Sequence, residues 1–281
     1  MLKQRVITAV LLMLVLLPAL FYRDPAPFNF LALLFVAAAT WEWARLNAWA
    51  MPASYLAATV TAVVCALVWW SGWLAQPVPL IWLFAGAAWV LLGGWTLRAG
   101  VPAWGQVNRS FRLLVGLLAL VVTWLAVAQA RLIGTNFLLS VFALVWAADI
   151  GAYFAGRTWG GHFIKRKLAA SISPGKSWEG VFGGMAAVLL LGWGWTRFDI
   201  WTQPAVPSFY SHLAGRGVAF AVIACLFLAA MSVVGDLIES LVKRSAGAKD
   251  SSKLLPGHGG VLDRVDAMLP TLPLAMMLYT F

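Results

Sequence analysis

Residues 217–237 read GVAFAVIACLFLAAMSVVGDL, an apolar run whose single charge is Asp236 near its end. A spanning helix needs roughly 20 predominantly apolar residues, so this run is long enough to cross a bilayer. The polar segment SLVKRSAGAKDSSKLLPGHGGVLDRVD follows at residues 240–266, directly before another apolar run. Dense charge beside a bilayer is energetically costly, so it usually serves a function. The pairing therefore predicts a membrane protein whose chemistry is concentrated beside the membrane.

The whole chain has the composition of a polytopic membrane protein. Its 281 residues are 62% hydrophobic and 11% charged, against about 45–50% and about 25% in typical soluble domains. This composition excludes a soluble globular protein. We treat the chain as one transmembrane domain, 1–281, with N-terminal helices at 1–136 and the helices and loops that carry the expected catalytic groups at 137–281. Lys3 and Arg5 precede the first apolar run as in a signal peptide, but no small-residue cleavage site follows, so we predict an uncleaved first helix.

Apolar runs recur along the chain and predict an all-α integral membrane protein with about nine transmembrane helices. The predicted spans are 6–22, 28–46, 55–74, 78–97, 113–130, 137–154, 180–196, 217–237 and 267–281. The ninth run is short and ends at the C-terminus.

Basic residues separate sharply between the two ends of these spans. With a cytoplasmic N-terminus, 16 of the 20 Lys and Arg residues fall on the cytoplasmic side and 4 on the other, as the excess of positive charge in cytoplasmic loops predicts. The four outer residues are Arg23, Arg131, Arg197 and Arg216. The polar loops 155–179 and 238–266 would then both face the cytoplasm and together form the site. Orientation and anionic lipid account for the net charge of +10, so no nucleic-acid partner is expected.

The ten acidic residues are unevenly placed. Asp24, Glu42 and Asp199 lie in loops or at span ends, where we expect them to be solvated or interfacial. The other seven lie in or beside the last four spans: Asp149, Glu179, Asp236, Glu239, Asp250, Asp263 and Asp266. A carboxylate within an apolar span costs about 2.5–3.5 kcal/mol. Asp149 and Asp236 therefore serve either as polar links between helices or as parts of a shared site.

Helical spacing groups several of these carboxylates. Four residues at i, i+3, i+4 and i+7 would share one face of a continuing helix: Asp236, Glu239, Ser240 and Lys243. Asp263 and Asp266 would share the start of the last helix. Together with Asp236 they place three carboxylates on two helix ends, which predicts a site for a divalent cation such as Mg²⁺ or Mn²⁺. Asp149 is an optional further ligand.

Basic and glycine-rich segments beside these carboxylates suit phosphate groups. Lys and Arg bind phosphate oxygens, and a Gly-His-Gly-Gly turn lets the backbone approach a ligand closely. A glycine-flanked histidine in a basic loop fits phosphate contact better than metal ligation. The stretch ISPGKSWEG at 172–180 suits either a phosphate cradle or an ordinary capped helix start with a topology-determining lysine. The residues predicted to contact substrate phosphates are Ser173, Lys176, Ser177, Arg244, His258, Gly259 and Gly260.

Three further patterns limit the interpretation. Cys65 and Cys225 lie inside apolar runs and are expected to be small buried hydrophobes. Residues 175–177 resemble the end of a P-loop, but Ala170 stands where its first glycine is required, so no P-loop is present. A Gly-x-x-x-Gly pair at 180–184 is a helix-packing pattern, although chance explains it more readily in a glycine-rich span.

The second polar segment follows one continuous pattern: Ser240-x-x-Lys243-Arg244, Lys249-Asp250, Pro256-x-His258-Gly259-Gly260 and Asp263-Arg264-x-Asp266. This pattern resembles the signature of the CDP-diacylglycerol synthases, also called phosphatidate cytidylyltransferases. The stretch Ser-Pro-x-Lys-Ser-x-Glu-Gly is similar to that family's other polar segment, with Ser177 where many members have Thr. The contexts of Asp149 and Asp236 also match. The strong likeness covers about 140–281, and the first five spans resemble the family in hydropathy only.

This resemblance implies that CTP and phosphatidate react to give CDP-diacylglycerol and pyrophosphate. The absence of a long N-terminal extension predicts a bacterial inner-membrane protein, and the distribution of basic residues predicts that its active site faces the cytoplasm. The resemblance also implies a divalent ion, Mg²⁺ or Mn²⁺, on Asp236, Asp263 and Asp266, and it allows a monovalent cation such as K⁺ beside it. A homodimer is left open. The residues expected to act in catalysis are Asp263, Asp266, Arg264, Lys243 and Lys249.

Other functions fit parts of the pattern. A different nucleotidyl or phosphoryl transferase, such as a CTP-dependent lipid kinase, would need similar phosphate and metal groups. A CDP-alcohol phosphotransferase would carry a D-G-x-x-A-R motif, which this sequence lacks. A transporter would use Asp149 and Asp236 as ion-relay carboxylates, but related halves or broken-helix pairs would then be expected.

Overall fold

The computed structural model describes residues 2–281, with side chains from residue 4 onward, so the Lys3 side chain lies outside the description. These residues form eleven α-helices and a 3-10 turn at Trp73–Ala75. The helices are α1 (Leu2–Phe21), α2 (Ala26–Leu46), α3 (Met51–Trp70), α4 (Pro79–Gln106), α5 (Arg109–Ile133), α6 (Thr135–Trp159), α7 (Trp178–Thr202), α8 (Phe209–Gly215), α9 (Val218–Ser245), α10 (Leu262–Val265) and α11 (Met268–Thr280).

The described residues include eight helices that are long and apolar enough to cross a membrane, namely α1 to α7 and α9. The prediction of an all-α polytopic membrane protein is confirmed. The ninth predicted span differs, because α11 has only 13 residues, or about 20 Å at 1.5 Å per residue. That is shorter than the hydrocarbon core, which is about 30 Å thick. Most of α11 is buried among the other helices.

The short α11 packs along α9, with contacts near both ends of the apolar part of α9. Near its start, the carbonyl oxygen of Asp266 lies so close to Gly235 that no Cβ would fit there. Near its end, Arg216, which precedes α9, donates from Nη1 to the carbonyl oxygen of Leu278 at 2.7 Å. The two helices are therefore antiparallel, and Phe281 lies at the end of the bundle opposite Asp266.

Glycines bring α6 and α7 into close contact. A Cβ on Gly184 would lie 2.6 Å from the carbonyl oxygen of Ala148, and one on Gly180 would lie 3.0 Å from that of Ala152. The Gly-x-x-x-Gly pair is therefore a packing contact, and the explanation by chance is wrong. The contact fixes the position of Asp149, which lies on α6 next to Ala148.

The helices extend further into the polar segments than the sequence predicted. Because α6 continues to Trp159 and α9 to Ser245, two shorter loops remain: the first polar loop (160–177) and the second polar loop (246–261). The predicted helical continuation of α9 through Lys243 is confirmed. Cys65 and Cys225 are buried free thiols, as predicted.

Both polar loops lie at one end of the bundle, here called the polar end. Arg5 at the start of α1 donates from Nε to the carbonyl oxygen of Gly257 in the second polar loop at 2.9 Å. At the opposite end, Arg131 donates to the carbonyl oxygen of Tyr22 at 2.6 Å. Arg131 and Arg216 belong to the four basic residues that the predicted topology separates from the other sixteen.

Candidate active site

The two polar loops meet at the end of α9. Lys176 of the first polar loop forms an ion pair with Asp236 of α9, with 2.5 Å between Nζ and Oδ2. Arg244 donates from Nε to the carbonyl oxygen of Ile172 at 3.3 Å and from Nη1 to that of Ala248 at 3.3 Å. The end of α9 therefore holds both loops, and the prediction that they come together is confirmed.

Lys243 is the central cation of this region. It forms an ion pair with Glu239 one turn earlier on α9, and its Nζ lies 2.6 Å from Oδ1 of Asp263 on α10. The side chains are 13%, 2% and 6% exposed for Lys243, Glu239 and Asp263. One ammonium therefore joins two buried carboxylates on different helices, and it fixes α10 against α9.

The other oxygen of Asp263 organises the second polar loop. Oδ2 accepts hydrogen bonds from Ser251 N at 2.9 Å, Ser251 Oγ at 2.8 Å and Gly260 N at 2.7 Å. Burial alone would raise the pKa of Asp263, but the hydrogen bonds from Lys243 and from the Gly260 N–H outweigh it and hold that pKa at about 2. Asp263 is therefore ionised, with both oxygens directed at protein donors.

A second group of carboxylates lies beside Lys176. Ser240 donates from Oγ to Oδ1 of Asp236 at 3.3 Å, and Asp266 accepts from Ala267 N at 2.7 Å. Burial, and then the negative charge of Asp236, raise the pKa of Asp266 well above its ordinary value. Asp149 lies within electrostatic range of both Asp236 and Asp266. Three carboxyl groups thus lie close together, and a bound cation would stabilise their ionised forms.

These carboxylates fit a divalent ion that also binds substrate. Within residues 2–281, no three His, Cys, Asp or Glu side chains converge into a complete metal cluster. Asp236, Asp266 and Asp149 lie near one another, whereas Asp263 is turned toward Lys243 and the second polar loop. Mg²⁺ usually binds one or two carboxylates, several waters and substrate phosphates. The donor set is therefore suitable for Mg²⁺ or Mn²⁺ bound together with a nucleotide.

The residues of the first polar loop that were predicted to bind phosphate differ in their contacts. Ser177 is buried and caps α7, because its Oγ accepts from Gly180 N at 3.2 Å. Ser173 forms a turn, since its N–H donates to Ala169 O at 2.8 Å and its carbonyl oxygen accepts from Lys176 N at 3.2 Å. The helix-cap interpretation therefore holds for Ser177, and Lys176 is the residue of this stretch that reaches the carboxylates.

The second polar loop is tied together from within. Arg264 donates from Nε and Nη2 to the carbonyl oxygen of His258 at 3.1 and 2.7 Å. Gly259 has a φ of +85°, which favours glycine, and the Gly260 N–H is already donated to Asp263. His258 Nδ1 is buried without a hydrogen-bond partner among the described residues. Lys249 is exposed on the loop.

Glu42 was not predicted to belong to the site, but it is fully buried near the end of α2 and contacts the second polar loop. Its Oε1 accepts from Ser252 Oγ at 2.5 Å and Val261 N at 3.0 Å. Its Oε2 accepts from Ser251 Oγ at 3.1 Å and Leu262 N at 2.7 Å. The prediction that Glu42 is solvated or interfacial is therefore wrong. The available signal was an acidic residue within the apolar run of α2, which by default indicates a functional position.

Asp199 was also assigned wrongly to a solvated or interfacial position. It is 6% exposed at the end of α7 and accepts from Asn136 Nδ2 at 3.0 Å, Ser208 N at 2.8 Å and Ser211 Oγ at 2.6 Å. This cluster lies at the end of the bundle away from the polar loops and fixes the start of α8. Asp24 is exposed, as predicted.

The family model described as "Cytidylyltransferase family" matches residues 3–281. The chain belongs to this family. The match covers the first five spans as well as the polar loops, so the family likeness extends beyond the region 140–281 in which the motifs were found.

Two of three curated relatives align over nearly the whole chain. A protein of Pseudomonas aeruginosa named phosphatidate cytidylyltransferase is 38% identical over 279 residues, which cover 97% of this chain and 95% of that protein. A protein of Haemophilus influenzae with the same name is 36% identical over 301 residues, covering 100% and 99%. One from Brucella suis is 40% identical over 199 residues, covering 71% and 63%. The Pseudomonas aeruginosa and Haemophilus influenzae proteins are thus similar to this chain from end to end.

Proposed function

We infer that this chain is a CTP:phosphatidate cytidylyltransferase, which transfers CMP from CTP to phosphatidate and releases pyrophosphate. The observation that carries this inference is the end-to-end similarity to proteins of that name. The site agrees with it, because Lys176, Asp236 and Asp266 meet at the polar end, where a nucleotide from water and a lipid from the bilayer can be bound together.

The reaction requires little proton transfer. A phosphate oxygen of phosphatidate forms a bond to the α-phosphorus of CTP, and the bond from that phosphorus to the β-phosphate oxygen breaks, releasing pyrophosphate. Phosphatidate is already ionised, so no strong general base is needed. Both reactants are anions, so the protein must neutralise charge and align the attack.

The carboxylates are suited to bind the metal ion that this reaction requires. We propose that Asp236 and Asp266 hold a divalent ion, with Asp149 or Asp263 as further ligands. The ion, when bound, supplies positive charge to the triphosphate and the developing pyrophosphate. Lys176 is paired with Asp236 in this structure, so its ammonium is placed to move to a phosphate oxygen when substrate binds.

The basic groups supply the remaining charge. Arg264, Arg244 and His258 belong to the same end of the bundle, and Arg264 is held by two hydrogen bonds to one carbonyl oxygen. Lys243 holds Asp263 in place through their ion pair. We propose the exposed Lys249 as a contact for the outer part of the triphosphate.

Activity toward CTP can be tested directly. The detergent-solubilised protein should release pyrophosphate from CTP only when phosphatidate and a divalent ion are both present. A lipid kinase would instead phosphorylate the lipid and release CDP, and a transporter would release neither product. Absence of pyrophosphate with all three components present would overturn the proposed function.

We propose that the polar end faces the cytoplasm, with the N-terminus inside and nine passes of the chain through the bundle. The positive-inside rule supports this orientation, and the contact between Arg216 and the carbonyl oxygen of Leu278 supports a ninth pass that ends on the other side.

A reporter inserted near Ala246 should therefore report the cytoplasm, and one fused after Phe281 should report the outer side. The fused reporter should leave activity measurable, which confirms that the tagged protein is folded. Reporters on the same side would contradict the nine-pass topology.

Lys176 and Arg264 should differ in their kinetic roles. Lys176→Gln is expected to raise KM for CTP with little change in kcat, because a residue that binds substrate and transition state equally affects binding alone. Arg264→Lys is expected to lower kcat, because a point charge cannot replace a planar fork that donates two hydrogen bonds. Steady-state kinetics in mixed micelles, with CTP and phosphatidate varied separately, distinguish the two. Unchanged parameters in both variants would mean that these charges serve topology only.

A further inference from the structure

The second polar loop is held by a carboxylate from the other half of the chain. Glu42 accepts four hydrogen bonds from residues 209 to 220 positions later in the sequence. Two of them come from backbone N–H groups at the start of α10, those of Val261 and Leu262. The first N–H groups of a helix have no partner within the helix, so Glu42 caps α10 from a different helix.

Glu42 is itself rigidly placed. The next residue, Trp43, donates from Nε1 to the carbonyl oxygen of Arg112 on α5 at 2.9 Å. Its ring packs so closely against Gly116 that no Cβ would fit there. Asn47 donates from Nδ2 to the carbonyl oxygen of Trp43 at 2.9 Å. The end of α2 is therefore fixed to α5, and this packing holds the backbone that carries Glu42 beside the loop.

The loop is shaped to receive this carboxylate. A Cβ on Gly260 would collide with Glu42 Oε1 and with Ser251 Oγ. Ser251 Oγ lies 3.1 Å from Oε2 of Glu42 and 2.8 Å from Oδ2 of Asp263, so its single hydrogen is shared between the two carboxylates. Glu42 is thus joined to Asp263 through one hydroxyl. Asp266 follows Asp263 by three residues and lies directly after α10.

We propose that Glu42 is a positioning residue that fixes the second polar loop and the start of α10 in the arrangement required for cytidylyl transfer. This inference rests on the proposed function. Glu42 does not touch the proposed metal or substrate groups. It acts through Ser251 and the backbone of α10, so that Asp263 and Asp266 are presented at fixed positions.

Glu42→Gln tests this role. The amide keeps the shape, but its NH₂ group must face either the Val261 N–H or the Leu262 N–H, and neither can accept a hydrogen bond. We expect kcat to fall about 10–100-fold, the usual effect of losing a partner that orients a site group, while KM for CTP changes much less. Amide exchange at 251–266 should become about 10-fold faster, with other helices unchanged, as measured by hydrogen–deuterium exchange of the full chain without substrate.

Asp199→Asn is the matched control, because Asp199 is also a buried carboxylate and accepts from three donors at the opposite end. It should lose stability without losing kcat. Ser252→Ala and Ser211→Ala form a second, milder pair, which decides the question if Glu42→Gln does not fold. Equal kcat within each pair, or exchange that rises throughout the chain, would overturn the proposal. Faster loop exchange is independent of activity, so a wrong substrate assignment would be distinguished by an inactive wild type.

Discussion

Replacing Asp236 or Asp266 with Asn is expected to remove most of the turnover while leaving the protein inserted and folded. Both carboxyl groups lie in a cluster of acidic side chains, and the pKa of Asp266 is raised by burial and by Asp236. Asn keeps the shape and one ligand oxygen but removes the charge that attracts a cation. The loss should exceed the roughly 10–100-fold effect of removing an outer partner of a metal ligand.

The dependence on metal concentration identifies the cause. If these carboxylates bind the ion, raising Mg²⁺ or Mn²⁺ should restore part of the activity of each variant. Asp24→Asn, which changes an exposed carboxylate at the far end, should behave like the wild type at every metal concentration. Near-normal turnover of Asp236→Asn and Asp266→Asn at low metal would exclude both residues as ligands.

Lys243→Met is expected to lower stability as strongly as any single change at the polar end. It would leave Glu239 and Asp263 as neighbouring buried carboxylates without their shared ammonium. Removing one partner of a buried ion pair typically costs about 3–5 kcal/mol, because the remaining charge is uncompensated. Thermal unfolding in detergent should show a clearly lower midpoint, and kcat should fall because Asp263 loses its anchor on α9.

A second substitution tests this explanation. Adding Glu239→Gln to Lys243→Met removes one of the two uncompensated charges, so the double variant should be more stable than Lys243→Met alone. Glu239→Gln in the presence of Lys243 should cost stability, since the ammonium then loses one partner. If the two substitutions were simply additive, the shared-cation interpretation would be wrong.

Local sequence features predicted much of this site. The spacing of Asp236, Glu239, Ser240 and Lys243 places them on one helix face because α9 continues without interruption. The ion pair between Lys176 and Asp236 was not derivable from spacing, but both residues were named as site candidates. Local pattern is informative here because helical geometry relates nearby positions directly.

Long-range contacts were not predictable from pattern. Glu42 looks like a residue at the edge of a span, because nothing in its neighbourhood indicates donors more than 200 positions away. The ninth span was overestimated because apolar composition does not distinguish a buried helix of 13 residues from one that faces lipid. The role of Gly180 and Gly184 depended on the facing helix, which a single sequence does not specify.

The reach of Glu42 has a consequence for how the protein is made. Its backbone donors are synthesised about 220 residues later, which corresponds to roughly 10–40 s at about 5–20 residues per second. During that interval α2 carries a carboxylate whose final partners do not yet exist. The first half of the molecule is therefore completed only by the last segment, and a chain that ends before Ser251 cannot satisfy Glu42 as the whole chain does.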